Sequence, residues 1–123
     1  MLALVIDDSR VVRTVIRNIL TEIGIAVAEA GNGREGLNQL ETFPNVDVVL
    51  VDWNMPVMDG IEFIQAVRSQ RAFDAVKIVM VTTETESEQI TRAMNAGANE
   101  YVMKPFTKDV LVAKLSMLDV FGE

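Results

Sequence analysis

The chain has no cysteine and no histidine among its 123 residues. Without cysteine there is no disulfide, no zinc thiolate and no thiol nucleophile. Without histidine the usual general base of serine and cysteine hydrolases is missing, and so is the commonest transition-metal ligand. Any metal held here should be a hard cation on oxygen ligands. Positive charge is also scarce, since 18 acidic residues against 11 basic ones leave a formal net charge of −7. That balance argues against a nucleic-acid-binding surface, which would show a basic patch or stripe. No apolar run reaches the roughly 18 residues of a membrane span, and the opening MLALVIDD turns acidic too soon for a signal peptide. A cytoplasmic protein that engages neither membrane nor nucleic acid is expected.

The residues that are present suit a globular fold: 50% are hydrophobic and 24% charged, ordinary values for one compact unit of this length. No linker, repeat or low-complexity stretch divides the chain, so a single domain over 1–123 is expected. LALVI (2–6), VDVVLV (46–51) and VKIVMV (76–81) are continuous or nearly continuous apolar runs, and IAVAEA (25–30) and EYVM (100–103) are weaker ones. Such runs suit strands buried on both faces of a parallel sheet.

Helical patterns lie between the runs, at 9–23, 33–42, 60–70, 86–96 and 107–119. Their apolar stripes are Val12, Val15, Ile16, Ile19 and Ile23; Leu37 and Leu40; Ile61, Ile64 and Val67; Ile90 and Met94; and Leu111, Leu115 and Leu118. Ser9 and Thr107 are suitable N-caps, and Gly24 and Gly97 stand where helices end. Strict alternation of strand and helix predicts an α/β, doubly wound, five-stranded parallel sheet with five helices in three layers.

In such sheets ligands bind at the carboxyl ends of the strands. Those ends carry Asp7 and Asp8, then Asp52, then Thr82 and Thr83, then Lys104. Taken singly, each has a plain structural use: Asp8 and Ser9 as helix caps, Asp52 as a turn former, the threonines as strand or cap residues, Lys104 as a solvated charge. Their coincidence at one edge is harder to explain that way. Three carboxylates close together would raise one another's pKa unless a cation neutralised them. Mg²⁺ suits such a group, because it takes one or two carboxylates and favours phosphate oxygens. A lysine opposite adds a second positive clamp, and the set suits a transferring phosphoryl group.

The segments VIDDS, LVDWNMPVMDGIEF, IVMVTTE and AGANEYVMKPF resemble the receiver domain of two-component response regulators, and the likeness spans essentially the whole chain. The pattern is most similar to the single-domain chemotaxis type, whose fold is flavodoxin-like. The resemblance implies that Asp52 accepts a phosphoryl group from a phosphohistidine on a sensor histidine kinase. It implies Mg²⁺ on Asp7, Asp8, Asp52 and the backbone carbonyl of Asn54. Thr82 would hydrogen-bond a phosphoryl oxygen and Lys104 would pair with it, aimed by a cis bond before Pro105. Tyr101 would be the aromatic whose rotamer reports phosphorylation, and Asn54 and Glu84 would flank the water that ends the signal. The output surface would be the fourth helix, fifth strand and fifth helix, and its partner a protein such as a flagellar motor switch. A monomer that acts as a switch, not as an enzyme on external substrates, is implied.

Two features depart from that type. The stretch ETESE (84–88) is acidic where the chemotaxis proteins are basic, which suits either a helix start or a changed partner surface. Val112, Ala113 and Met117 lie off the apolar stripe of the last helix. Among other readings, a stand-alone phosphorelay receiver shares every motif. A Mg²⁺-dependent phosphohydrolase of the haloacid-dehalogenase kind shares the strand-end Asp, but those proteins resemble D-x-D and the third position here is Asn54. A flavodoxin-like cofactor binder would need a phosphate-cradling loop after the first strand, and DDSR would repel a phosphate.

Overall fold

The computed structural model describes residues 1–83 and 87–118. Five strands form one sheet: β1 (Leu2–Ile6), β2 (Ala26–Ala30), β3 (Val48–Asp52), β4 (Lys77–Thr82) and β5 (Glu100–Met103). All pairings are parallel and the spatial order is β2-β1-β3-β4-β5. The helices are α1 (Arg10–Glu22), α2 (Gly33–Thr42), α3 (Gly60–Arg68), α4 (Ser87–Ala96) and α5 (Lys108–Met117). Among the described residues, no helix is long and apolar enough to cross a membrane.

The central strands β1, β3 and β4 are apolar along most of their length because both faces of the sheet are covered there, while β2 and β5 each carry a glutamate. Along β1, Ala3 and Val5 pack with Ile16 and Leu20 of α1 and Leu111 and Leu115 of α5. The alternate residues Leu4 and Ile6 pack with Leu40 of α2, Phe63 and Ile64 of α3 and Ala93 of α4. The period of two in the strands thus sorts side chains into two separate cores. Ser9 and Thr107 cap α1 and α5 as expected, accepting the N–H groups of Val12 and Val110. Gly24 and Gly97 follow their helices at positive φ, the conformation that ends a helix without Cβ strain.

Several local expectations shift. The stripe of α1 turns by one position: Leu20 is buried, while Val15 is 48% exposed. In α4 the buried residue is Ala93, and Met94 is exposed. The third helix stops at Arg68 instead of 70, and a 3-10 turn over Arg71–Phe73 follows. The run 46–51 becomes a strand only from Val48, and just before it the Asp47 side chain accepts the N–H of Leu2. In α5 the exposed apolar residues include Val110 and Met117, whereas Val112 is half-buried.

Candidate functional site

Parallel strands end together, and three of them end in polar residues. Asp52 is the last residue of β3 and Thr82 the last of β4; both are buried, as is Asp7 just after β1. The sequence alone puts Asp52 after its strand, but the ladder continues through it, with Asp52 paired against Val81. Register therefore fixes the carboxylate beside the end of β4, next to Thr82.

The backbone around Asp52 is held closely. The N–H of Trp53 donates to the Val81 carbonyl at 3.2 Å, and Gly60 N–H donates to the Trp53 carbonyl at 2.9 Å. A Cβ on Gly60 would lie 2.5 Å from the Asp52 carbonyl oxygen, so only glycine lets α3 begin this close to the strand end. Asp59 caps that helix in a reciprocal capping box with Glu62. The tight start of α3 thus returns the chain across the site and leaves Asn54 exposed in the loop.

Carboxylate oxygens of Asp7, Asp8 and Asp52 lie within 4.8 Å of one another. Lys104 reaches this group from the loop after β5, its Nζ donating to Asp7 Oδ2 at 3.0 Å and to Asp52 Oδ1 at 3.3 Å. The Lys104–Pro105 bond is cis, as expected, and Lys104 N–H donates to the Thr82 carbonyl at 2.8 Å. Lys104 is therefore an inward clamp and no solvated loop charge. Its side chain is only 18% exposed.

Charge in the pocket is unbalanced. Burial and then the neighbouring charge of Asp7 push the Asp52 carboxyl up from 3.8 to about 6, with Lys104 opposing and Asp8 adding to the rise. Burial disfavours the Lys104 ammonium, but the hydrogen bond to Asp7 and the charges of Asp52 and Asp7 outweigh it and raise its pKa. One ammonium among three acids leaves a net deficit of positive charge. The donor set, hard carboxylate oxygens with one exposed member in Asp8, fits a divalent cation such as Mg²⁺.

One supporting residue was not anticipated. Arg13 of α1 donates to the Asp7 carbonyl at 2.6 Å and to Glu29 at 3.1 Å, fixing the backbone between the acid pair and the helix. Its place in the first turn of α1, six residues after Asp7, was the available signal. Asp7 also accepts the N–H of Ser9 at 2.8 Å, so the residue nearest the lysine is anchored on two sides. Tyr101 lies on β5 opposite Met80, partly buried. Glu84 is outside the described residues, as is most of the acidic stretch; Glu88 is exposed in the first turn of α4.

Comparison with known proteins agrees with the geometry. Residues 3–116 match the response regulator receiver domain. The chain is 42% identical over 120 residues to a chemotaxis protein CheY homolog of Campylobacter jejuni, covering 97% of this chain and 91% of that protein. It is 40% identical over 116 residues to chemotaxis protein CheY1 of Helicobacter pylori, covering 94% of each. The solved structure of Vibrio cholerae chemotaxis protein CheY4 superimposes with a TM-score of 0.89 at 36% identity, over 95% of this chain and 97% of that one. An acid cluster at the end of a parallel sheet, a lysine that closes it, and a family match across nearly the full length lead to one conclusion: the chain belongs to the response regulator receiver domain family.

Proposed function

We propose that this chain is a phosphorylation-activated signalling switch that acts as a single domain. Asp52 is the phosphoacceptor and a sensor histidine kinase is the donor. The observation that carries this reading is the Lys104 ammonium bonded to both Asp7 and Asp52 within the three-acid cluster. A carboxylate oxygen of Asp52 attacks phosphorus, the phosphorus–nitrogen bond of the donor phosphohistidine breaks, and the imidazole leaves with the electron pair. Lys104 gives up part of its bond to Asp52 and pairs with the incoming phosphoryl oxygens. Thr82, at the end of the neighbouring strand, donates to one of them.

Mg²⁺ held by Asp7, Asp8, Asp52 and the Asn54 backbone carbonyl would neutralise the acids and the phosphoryl charge. The absence of histidine from this chain is consistent with the scheme, since the imidazole belongs to the donor. Phosphorylation replaces the single carboxylate charge of Asp52 with a phosphoryl group of about −1.5 to −2 at the junction of β3, β4 and β5. Movement of Thr82 and Tyr101 then alters the face made by α4, β5 and α5, to which an output protein binds. The names of the relatives favour chemotaxis; the output partner in this reading is a protein such as a flagellar motor switch. Water attacks the phosphoryl group to end the signal, and Asn54 and Glu84 are the residues proposed to tune that step; the chain catalyses no other turnover.

Labelling with acetyl phosphate tests the reading. Wild-type protein should label only with Mg²⁺ present, and Asp52→Asn should lose the label entirely. Label retained by the variant would assign the chemistry to another residue. Chasing the label reads its lifetime, and a lifetime unchanged in Asn54→Met would remove Asn54 from the water path.

A further inference from the structure

Tyr101 is the chain's one tyrosine, and two residues with no part in the phosphoryl chemistry hold it. Lys114 of α5 places Nζ 4.5 Å from the ring centroid and 3.2 Å from Glu100 Oε1. That same Glu100 oxygen accepts the backbone N–H of Tyr101 at 2.9 Å. One carboxylate oxygen thereby ties the backbone of Tyr101 to the cation that sits over its ring.

The location strengthens these contacts. The Lys114 and Glu100 side chains are 25% and 14% exposed, so water and salt screen the pair less than on an open surface. Lys114 lies in the last turn of α5, where a cation also complements the helix dipole. A ring that left this position would abandon the ammonium, while Lys114 and Glu100 could remain paired. The cation–π contact is thus made in one position of the ring and lost in another.

We propose that Glu100 and Lys114 are positioning residues that latch Tyr101 and set the resting balance of the switch. The assignment rests on the reading of the chain as a phosphorylation switch, but the latch exists in the unphosphorylated protein and is tested there. β5 and α5 are joined through the tyrosine that lies between them. Loss of either charged partner frees the ring without touching Asp7, Asp8, Asp52 or Lys104.

A single tyrosine permits a direct measurement, because 3-fluorotyrosine incorporation yields one ¹⁹F resonance from the folded protein. In Lys114→Met, which keeps the apolar stem, that resonance should shift, with about a two- to five-fold change in the ratio of ring positions, the range expected of one partly shielded cation–π contact. Glu100→Gln should shift it in the same direction, and Lys114→Arg should retain the wild-type spectrum. An unchanged resonance in both Lys114→Met and Glu100→Gln would overturn the latch, as would Lys114→Arg behaving like Lys114→Met, since packing alone would then account for the effect. Thermal unfolding confirms that each variant folds, and Glu100→Gln carries the test if Lys114→Met does not. The same variants should still label with acetyl phosphate on Asp52, since Asp7, Asp8, Asp52 and Lys104 are unaltered. Loss of labelling in the wild-type protein itself would instead sink the switch reading and leave the latch standing.

Discussion

At the amino end of β4 one cation, Arg68, hydrogen-bonds to four neutral oxygens; at its carboxyl end one cation, Lys104, faces three acids. Arg68 donates to the carbonyls of Gly97, Phe73 and Val76 at 2.9, 3.1 and 2.8 Å and to Asn99 Oδ1 at 2.8 Å. Asn99 Oδ1 in turn accepts the Ile78 N–H at 2.8 Å, fastening the start of the strand. That group is closed: every hydrogen-bond partner is a neutral oxygen, and the charge of Asp74 acts on the guanidinium only at longer range. The Lys104 group is open, with more carboxylates than ammonium and an elevated Asp52 pKa. The difference separates two uses of a partly buried charge. One knits the loops below the sheet, and the other keeps a site short of positive charge until a ligand supplies it.

The comparison predicts opposite signs for mutations at the two ends. Arg68→Met keeps the aliphatic stem but leaves several carbonyls and Asn99 without their donor. It should destabilise the protein by about 2–4 kcal/mol, the usual consequence of stranding partly buried acceptors. Urea unfolding measures this, and Mg²⁺ binding by the folded variant should be unchanged. A variant as stable as wild type would show that water replaces the guanidinium freely, and the closed group would lose its structural role.

At the open end the metal-free protein should become less stable as pH rises. The Asp52 carboxyl titrates near 6 in the folded chain against an ordinary 3.8. Between those values the folded state keeps a proton that the unfolded chain has released, so stability falls through that window. Above it, where both states are ionised, the full penalty of about 3 kcal/mol applies. Asp52→Asn should remove that slope and be more stable than wild type at pH 7 in EDTA. Excess Mg²⁺ should reduce the gap, because binding to the folded state alone stabilises wild type. Urea midpoints at pH 4, 5, 6 and 7 for both proteins decide the matter; parallel curves would mean that Asp52 is not strained by its neighbours.

How legible each end was in the sequence follows from the same contrast. The open site was readable because its residues sit at strand ends, and parallel strands bring their ends together whatever the exact register. Asp7, Asp8, Asp52 and Lys104 needed only the strand pattern and the chemistry of like charges. The closed site was not readable, because Arg68 acts through backbone carbonyls of residues whose identities hardly matter. Nothing about Phe73, Val76 or Gly97 announces an acceptor for a guanidinium. The helix faces failed for a related reason. Val15 and Leu20 are both apolar, and which one is buried depends on the packing of α1 against β1 and β2. Glu100 and Lys114 were equally opaque, as their pairing requires α5 to lie across the start of β5.

The smallest predicted effect concerns the loop that follows Asp52 at the open end. Val57 has φ of 70°, rare for a β-branched residue, and its side chain is 77% exposed. Met58 N–H donates to the Pro56 carbonyl at 2.7 Å across it, a three-residue turn of the strained kind. The turn is braced on both sides: Gly33 N–H donates to the Met58 carbonyl at 3.2 Å, and Gly60 seats against Asp52. An exposed valine contributes little packing here, so the strain is held by the loop and not repaid by the core. Val57→Gly should relieve it and, after the added freedom of the unfolded chain, stabilise the protein by about 1 kcal/mol. Val57→Asn, which tolerates the same φ with less unfolded-state freedom, should stabilise at least as much. If both variants are more stable yet bind Mg²⁺ no worse, the strain is incidental and the open site owes it nothing. If the gain in stability comes with weaker Mg²⁺ binding, the strained turn helps hold the Asn54 carbonyl in place. The open end would then store strain in its backbone as well as in its charges.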